Sequence, residues 1–382
     1  KSKGTEKSFR NLIRCYGIDD ELIKINMYGN NVTYRLEDNR KDTAVRKNYV
    51  SFNHPNRFAG VVVQQSSSDT VATGESEYGH AVTNISGTAT FVGERFDFTE
   101  EIEVIFPKKP PVNSKNYFIT PFITSSIYGS HGVQAAKNPE AFKWLGIGNG
   151  SEWGLQLFAI RPEIGSKDAY FLLTSSLVNG AGSDIAVHLT TSLFKDVYDD
   201  TKWNFAVRRL HPKSKPSQIG LTTGSSVFRT GDNYVEFEFY GVNTKLGAVQ
   251  NEFLLTTGSK TSTAARYLTV NKRYYVGARR ENFTGAVAQF SDVEATSFRL
   301  WQHNIDNDTI LAHAKDPLSY GTPNPYRNAA FFREKQDHLI NSPDGISSSY
   351  IPEMDTLLLH WNFADVTGSD TDGQFQVRDF SS

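Results

Sequence analysis

The sequence predicts an all-β chain built as a two-sheet sandwich and preceded by a small N-terminal helical segment. Three observations lead there. From Tyr49 onward, runs of alternating apolar and polar residues recur, as in Glu101–Phe106 and Tyr234–Tyr240. Clusters such as Gly148-Asn149-Gly150 and Asn179-Gly180-Ala181-Gly182 punctuate them with turn chemistry. Aromatic residues form 13% of the chain, a composition that suits pleated, half-buried strands. Many short strands with frequent turns pack as a sandwich or jelly roll.

Residues 5–17 carry a helix signature. Thr5 can cap, Phe9, Leu12, Ile13 and Tyr16 recur at helical spacing, and Gly17 supplies a stop. Cys15, the single cysteine, lies in the apolar row, where a small buried thiol is expected. Being alone, it excludes an intramolecular disulfide framework and a Cys-based zinc site. A short helical or extended piece is expected at Asp20–Ile25, and a strand at Val32–Leu36. The charged run Glu37–Lys47 reads as a linker, so 1–47 forms a helical segment and 48–382 the sandwich.

In Tyr234–Tyr240, Val235, Phe237 and Phe239 share one face while Glu236 and Glu238 share the other. Further strands are expected at Ala89–Phe96, Tyr117–Ile123, Trp153–Ile160, Ala169–Thr174, Asp184–Thr190 and Trp203–Leu210. Others follow at Glu252–Thr256, Arg273–Gly277, Val287–Leu300 and Thr356–Phe363. Trp153, Trp203, Trp301 and Trp361 lie in apolar strand patterns and are expected in the core. Asn307–Ala314 reads as a helix with an Asp/Asn cap, stopped by Pro317. Residues 321–352, rich in Pro, Asn, Ser and Asp, read as a long surface loop with a helical turn near Phe331–Gln336.

A net charge of -2 leaves no basic footprint for nucleic acid, and no apolar run reaches the roughly 20 residues that span a bilayer. Tandem Arg279-Arg280 is the most concentrated positive spot, able to meet an acidic partner or solvent. The first residue is Lys1 and the last residues read as a strand entering a turn, so a segment of a longer polypeptide is expected.

The chain has no Gly-x-Ser-x-Gly elbow and no phosphate loop, and its nine histidines show no i, i+4 pair on a helix. His313 and His360, beside apolar residues, read as hydrogen-bonded core or interface groups. Glu101 and Glu103 share one strand face, readable as a carboxylate pair or as a solvated face, with the solvated face favoured. Asp365, Asp370 and Asp372 form an acidic, Gly-containing loop that either binds Ca²⁺ or is an ordinary turn. No other cofactor is expected. Sugar recognition on a loop rim would use aromatic faces, for which Tyr128, Trp144, Trp153 and Tyr326 are the candidates.

Two resemblances add to this. From about Ser86 to Ala364 the chain resembles a concanavalin A-like lectin/glucanase sandwich of the laminin-G-like kind. The matching stretches are Thr201–Val207, Val235–Asn243, Tyr275-Val276-Gly277-Ala278 with Phe283-Thr284-Gly285, and Val293–Ile305 with Ile310–Ala314. The resemblance implies a jelly-roll fold, in which the glucanase branch needs two carboxylates about 5–5.5 Å apart. Glu101-Ile102-Glu103 is similar to that motif, but Phe106 stands where its last Glu belongs. The second resemblance is to a helical motif of bacteriophage tail or baseplate proteins. Lys3-Gly4-Thr5, Ser8–Leu12, Tyr16-Gly17-Ile18 and Tyr28-Gly29 carry it, although Lys-Gly-Thr before a helix is also plain capping chemistry.

Together these imply a non-enzymatic virion structural protein of the tail or baseplate. It would dock through Lys3, Gly4, Thr5, Phe9, Leu12 and Tyr16 onto other virion subunits in a large oligomeric assembly. Its sandwich would pack against neighbours or face host-surface glycans. The alternatives are an extracellular, secreted or surface carbohydrate-binding module and a diverged glycoside hydrolase.

Overall fold

The computed structural model describes residues 3, 6–17, 48–64, 98–115, 117–133, 154–175, 187–210, 234–260, 271–280, 285–316, 320–322, 328–331, 349–367 and 374–381. The chain divides into two units, Lys1–Arg46 and Lys47–Ser382. In the first, α1 (Glu6–Cys15) forms where the helical spacing places it. It closes on Gly17, whose φ of +79° suits the left-handed C-terminal position and whose N–H donates to the Arg14 carbonyl at 2.9 Å. Cys15 is exposed, which corrects the expectation of a buried thiol. Phe9, Leu12 and Tyr16 are exposed as well, and only Ile13 of the apolar row is half-buried. Gly4, Thr5 and the stretches expected at 20–25 and 32–36 lie outside the described residues, as does Ala89–Phe96.

Among its described residues the second unit is all-β apart from one helix and a short 3-10 turn. Its strands begin with β1 (Val50–Ser51), β2 (Val61–Val63), β3 (Phe98–Phe106), β4 (Thr124–Val133), β5 (Leu155–Ile160) and β6 (Tyr170–Ser175). Next come β7 (His188–Thr190), β8 (Thr201–Leu210), β9 (Tyr234–Lys245), β10 (Ala248–Lys260), β11 (Asn271–Gly277) and β12 (Arg279–Arg280). The last are β13 (Val287–Gln289), β14 (Glu294–Trp301), β15 (Asn328–Phe331), β16 (Ser349–Pro352), β17 (Leu357–Thr367) and β18 (Gln376–Asp379). An eight-stranded sheet runs β10-β9-β8-β3-β14-β17-β18, with β1 added beside β14, and a six-stranded sheet runs β2-β11-β4-β5-β6-β7. Every pairing among the described residues is antiparallel; β9 and β10 meet through a short turn, whereas β3 pairs with β8 and β14, both distant in sequence.

The sheets share one core. Phe98, Ile102, Val104 and Phe106 of β3, Trp203 and Phe205 of β8, and Phe237 and Phe239 of β9 meet Leu157, Phe171, Tyr274 and Val276 of the smaller sheet. Phe171 sits at its centre, with ring centroids 4.8 Å from Trp203 and 4.7 Å from Phe205 in T-shaped contact. Trp203, Trp301 and Trp361 are buried, as their apolar strand settings indicate, while Trp153 lies outside the described residues.

The opposite face of the larger sheet is covered at one end by α2 (Asn307–Lys315). Asp306 caps it, its side chain accepting from the Thr309 N–H at 2.8 Å, and the helix ends two residues before Pro317. At its other end the Ala314 carbonyl accepts from Lys202 Nζ at 2.6 Å and Thr244 Oγ1 at 3.0 Å, so sheet side chains satisfy an orphan acceptor of the helix. Ile310 and Ala314 pack on Ala206, Tyr240, Val242 and Trp301.

Three expected elements differ. Tyr117–Ile123 is irregular rather than a strand, because Pro121 in its middle lacks the N–H a ladder needs. The expected strand Val287–Leu300 breaks into β13 and β14. Between them Ser291 N–H donates to the Phe58 carbonyl, Asp292 N–H to Ser125 Oγ, and the Phe290 and Val293 carbonyls accept from Ser126 and Phe52. The 321–352 loop holds the β15–β16 ladder, so Phe331 is in a strand rather than a helical turn.

Candidate functional site

The break between β13 and β14 places Asp292 under a small cavity. The cavity, of about 150 Å³, lies between the segment leaving β3 (Lys108, Lys109), the irregular stretch Tyr117–Thr120, the turn after β5 (Arg161 and Gly165–Lys167), and Tyr198. Prolines 107, 110 and 111 stop the chain from extending β3, and thereby turn Lys108 and Lys109 out of the sheet. Four of the lining side chains are cationic and none is a carboxylate.

Asp292 is fully buried and organises the floor. Arg161 pairs with its Oδ2, Thr120 Oγ1 donates to the same oxygen at 2.8 Å, and Lys109 Nζ approaches it at 3.3 Å. Tyr198 Oη donates to Oδ1 at 3.2 Å. Burial alone would raise the Asp292 carboxyl, but Arg161, Lys109 and the Ser125 and Thr120 hydroxyls outweigh it and hold the group below the ordinary range. The same burial, with the nearby Asp292 charge, pushes the Tyr198 phenol upward. Burial and the neighbouring Arg161 hold the Lys109 ammonium below its usual value against the pull of Asp292. Lys109 Nζ also donates to Asn53 Oδ1 at 2.7 Å and stands 4.9 Å from the Phe118 ring centroid. On the rim, Tyr117 and Ile119 are exposed. An apolar rim over a donor-rich floor can take a molecule that is itself amphipathic.

A second polar cluster lies beneath α2. Glu101 Oε1 accepts from Asn204 Nδ2 at 3.0 Å and Arg299 Nη1 at 3.0 Å, and His313 Nδ1 lies 3.1 Å from both carboxylate oxygens. The other nitrogen of His313, Nε2, lies 3.2 Å from the Gly321 carbonyl. Burial would raise the Glu101 carboxyl, yet His313 and Arg299, with hydrogen bonds from His313 and Asn204, lower it well below the carboxylate range. Glu103 accepts from Thr296 Oγ1 at 2.7 Å and pairs with Lys202 at 3.5 Å. Glu101 and Glu103 do share a face, but that face is not solvated: they are 1% and 3% exposed. The alternation was legible, whereas the covering helix arrives from 200 residues downstream.

The sequence-predicted sites fare unevenly. Tyr128 is wholly buried between the sheets, its Oη donating to Glu100 at 3.1 Å, and so offers no face to a sugar; this corrects its assignment to a binding rim. A register shift between Ser126 and Tyr128 in β4 turns it inward. Trp144 and Tyr326 lie outside the described residues, as do Asp370 and Asp372, while Asp365 falls within β17. Among the described residues no group of three or more His, Cys, Asp or Glu could hold a metal, and no helix is long and apolar enough to cross a membrane. His313 and His360 are both buried; His313 meets Glu101, and the His360 ring lies 4.4 Å from that of Tyr320. Arg280 is tied by Nη1 to the Ala59 carbonyl at 2.7 Å and by Nε to Gly285 at 2.9 Å.

No family model and no curated protein matches the chain. Among solved structures it is similar to the enzymatically active domain of tailspike protein 2 of bacteriophage CBA120, at 9% identity and a TM-score of 0.30. That match covers 73% of this chain and 32% of that one, so the chain spans about a third of the tailspike structure. It is also similar to the PL-14 alginate lyase from Aplysia kurodai, at 8% identity and a TM-score of 0.29, covering 68% of this chain and all of that one. Both of these proteins are named as enzymes, and the expectation of a non-enzymatic chain is corrected accordingly. At these scores neither likeness assigns a reaction.

Proposed function

We propose that the chain is a carbohydrate-directed component of a phage particle, and that its β unit holds a saccharide unit in the cavity over Asp292. The observation that carries this is the lining itself. Tyr117 offers an exposed ring on the rim, and Lys109, Arg161 and Thr120 converge below it around one buried carboxylate. Sugars present an apolar C–H face and a ring of hydroxyls, which that division suits. The cavity is smaller than the ~300–1,000 Å³ typical for drug-sized ligands, so it takes one ring or substituent of a longer chain.

The concanavalin A-like jelly roll is our reading of the β unit, supported by its two facing antiparallel sheets. Placement in a tail or baseplate rests on the Lys3–Ile18 resemblance, with the exposed row of Phe9, Leu12 and Tyr16 as the docking surface for other virion subunits. A glycan array with the full chain, repeated with Tyr117→Ala, tests the binding reading. Several-fold weaker retention by the variant is expected. Retention unchanged by the substitution contradicts the site. Fixed stoichiometry in purified particles is expected, and recovery only as free chain contradicts the placement.

A further inference from the structure

We infer that the group held in the cavity is an anion, a carboxylate or sulfate ester borne by an acidic saccharide. This rests on the saccharide reading above and adds the chemistry of its ligand. Lys108, Lys109, Arg161 and Lys167 all line the space. The carboxylates near them, Asp196 beside Lys108 included, lie outside the lining. Asp292, beneath, is shared by Arg161 and Lys109. Asp199, beside the wall, is shared by Lys108 at 2.7 Å and Lys167 at 3.7 Å. Asp200 accepts from the Lys108 backbone N–H at 2.8 Å, and Asp168 is paired with Lys195 at 2.7 Å. The four cations thus line the space itself, while the carboxylates that balance them lie behind the wall and floor.

Lys108 and Lys167 are more than half exposed, so their side chains can swing to a ligand at little cost. Lys109 is different. Its ammonium is mostly covered, braced by Asn53 and Phe118, and an entering anion would offset part of its desolvation. Arg161, fixed on Asp292 and with its guanidinium carbon 3.7 Å from the Tyr198 ring centroid, holds positive charge at the floor without needing to move.

The test is calorimetric titration of the full chain with oligogalacturonate, with the same oligomer after reduction of its carboxyl groups, and with a sulfated galactan oligomer, each at 50 and 300 mM NaCl. Either acidic oligomer is expected to bind at least about tenfold more tightly than the neutral one, and to lose affinity as salt rises. Which acidic oligomer binds better identifies the anion. The surface double variant Lys108→Gln/Lys167→Gln, which leaves the buried Asp292 contacts intact, is expected to lose most of that preference while keeping its melting temperature. Lys109→Gln extends the loss if it folds. Equal affinity for acidic and neutral oligomers, with binding still sensitive to Tyr117→Ala, overturns the anion inference alone. Absence of binding by every oligomer overturns the saccharide reading with it.

Discussion

Arg161 lies over the ring of Tyr198, guanidinium carbon to centroid 3.7 Å, while both side chains reach the carboxylate of Asp292. One acid therefore fixes a cation and an aromatic together at the floor of the cavity. Arg161 is 2% exposed, so the arrangement is a rigid wall rather than a surface pair.

Removing the acid should expose that dependence. Asp292→Asn leaves Arg161 buried opposite a neutral group, with Lys109 pressed beside it, and should cost about 3–5 kcal/mol in chemical denaturation. A loss below about 1 kcal/mol would mean that solvent already screens the pair.

Acid should act through the same group and through Glu101. Both carboxyls have folded-state pKa values below the ordinary values of 3.8 and 4.5 for a free Asp and Glu side chain. Their stabilisation is complete above those ordinary values and is lost as pH falls through the lower, folded-state ones. Melting temperature should decline below about pH 4.5, and Glu101→Gln, starting lower at pH 7, should decline less steeply. Parallel slopes for the two proteins would contradict the assignment.

How far this was legible in the sequence varies by element. The alternation in Tyr234–Tyr240 places Phe237 and Phe239 in the core, because a period of two is a local property. The burial of Glu101 was not legible, since it depends on His313 and α2 being folded over the strand. Nor was the cavity: Lys109, Arg161, Tyr198 and Asp292 come from four separated segments. Two signals did exist. Lys108-Lys109 sits between prolines directly after an alternating strand, and the adjacent polar pair Ser291-Asp292 breaks the alternation of Val287–Leu300. Charge density pointed instead to Arg279-Arg280, of which Arg280 is spent on backbone carbonyls.

Gly277 joins β11 to the neighbouring segment at a φ of +101°, and a Cβ there would sit 2.8 Å from the Gly60 carbonyl oxygen and 2.7 Å from Phe52 Cζ. Gly277→Ala should destabilise by at least about 1–3 kcal/mol, through backbone strain and the clash together. Gly247→Ala, at φ +76° with nothing within 4 Å, should cost less because only the strain remains. Equal melting temperatures for the two variants would remove the clash from the account.

The central claim is the location of the saccharide, and amide hydrogen exchange of the full chain with and without a bound acidic oligomer tests it most directly. Slower exchange is expected in peptides covering 108–120 and 161–167, with the β15–β16 ladder unchanged. Binding accompanied by protection elsewhere, and none in those two segments, would contradict it.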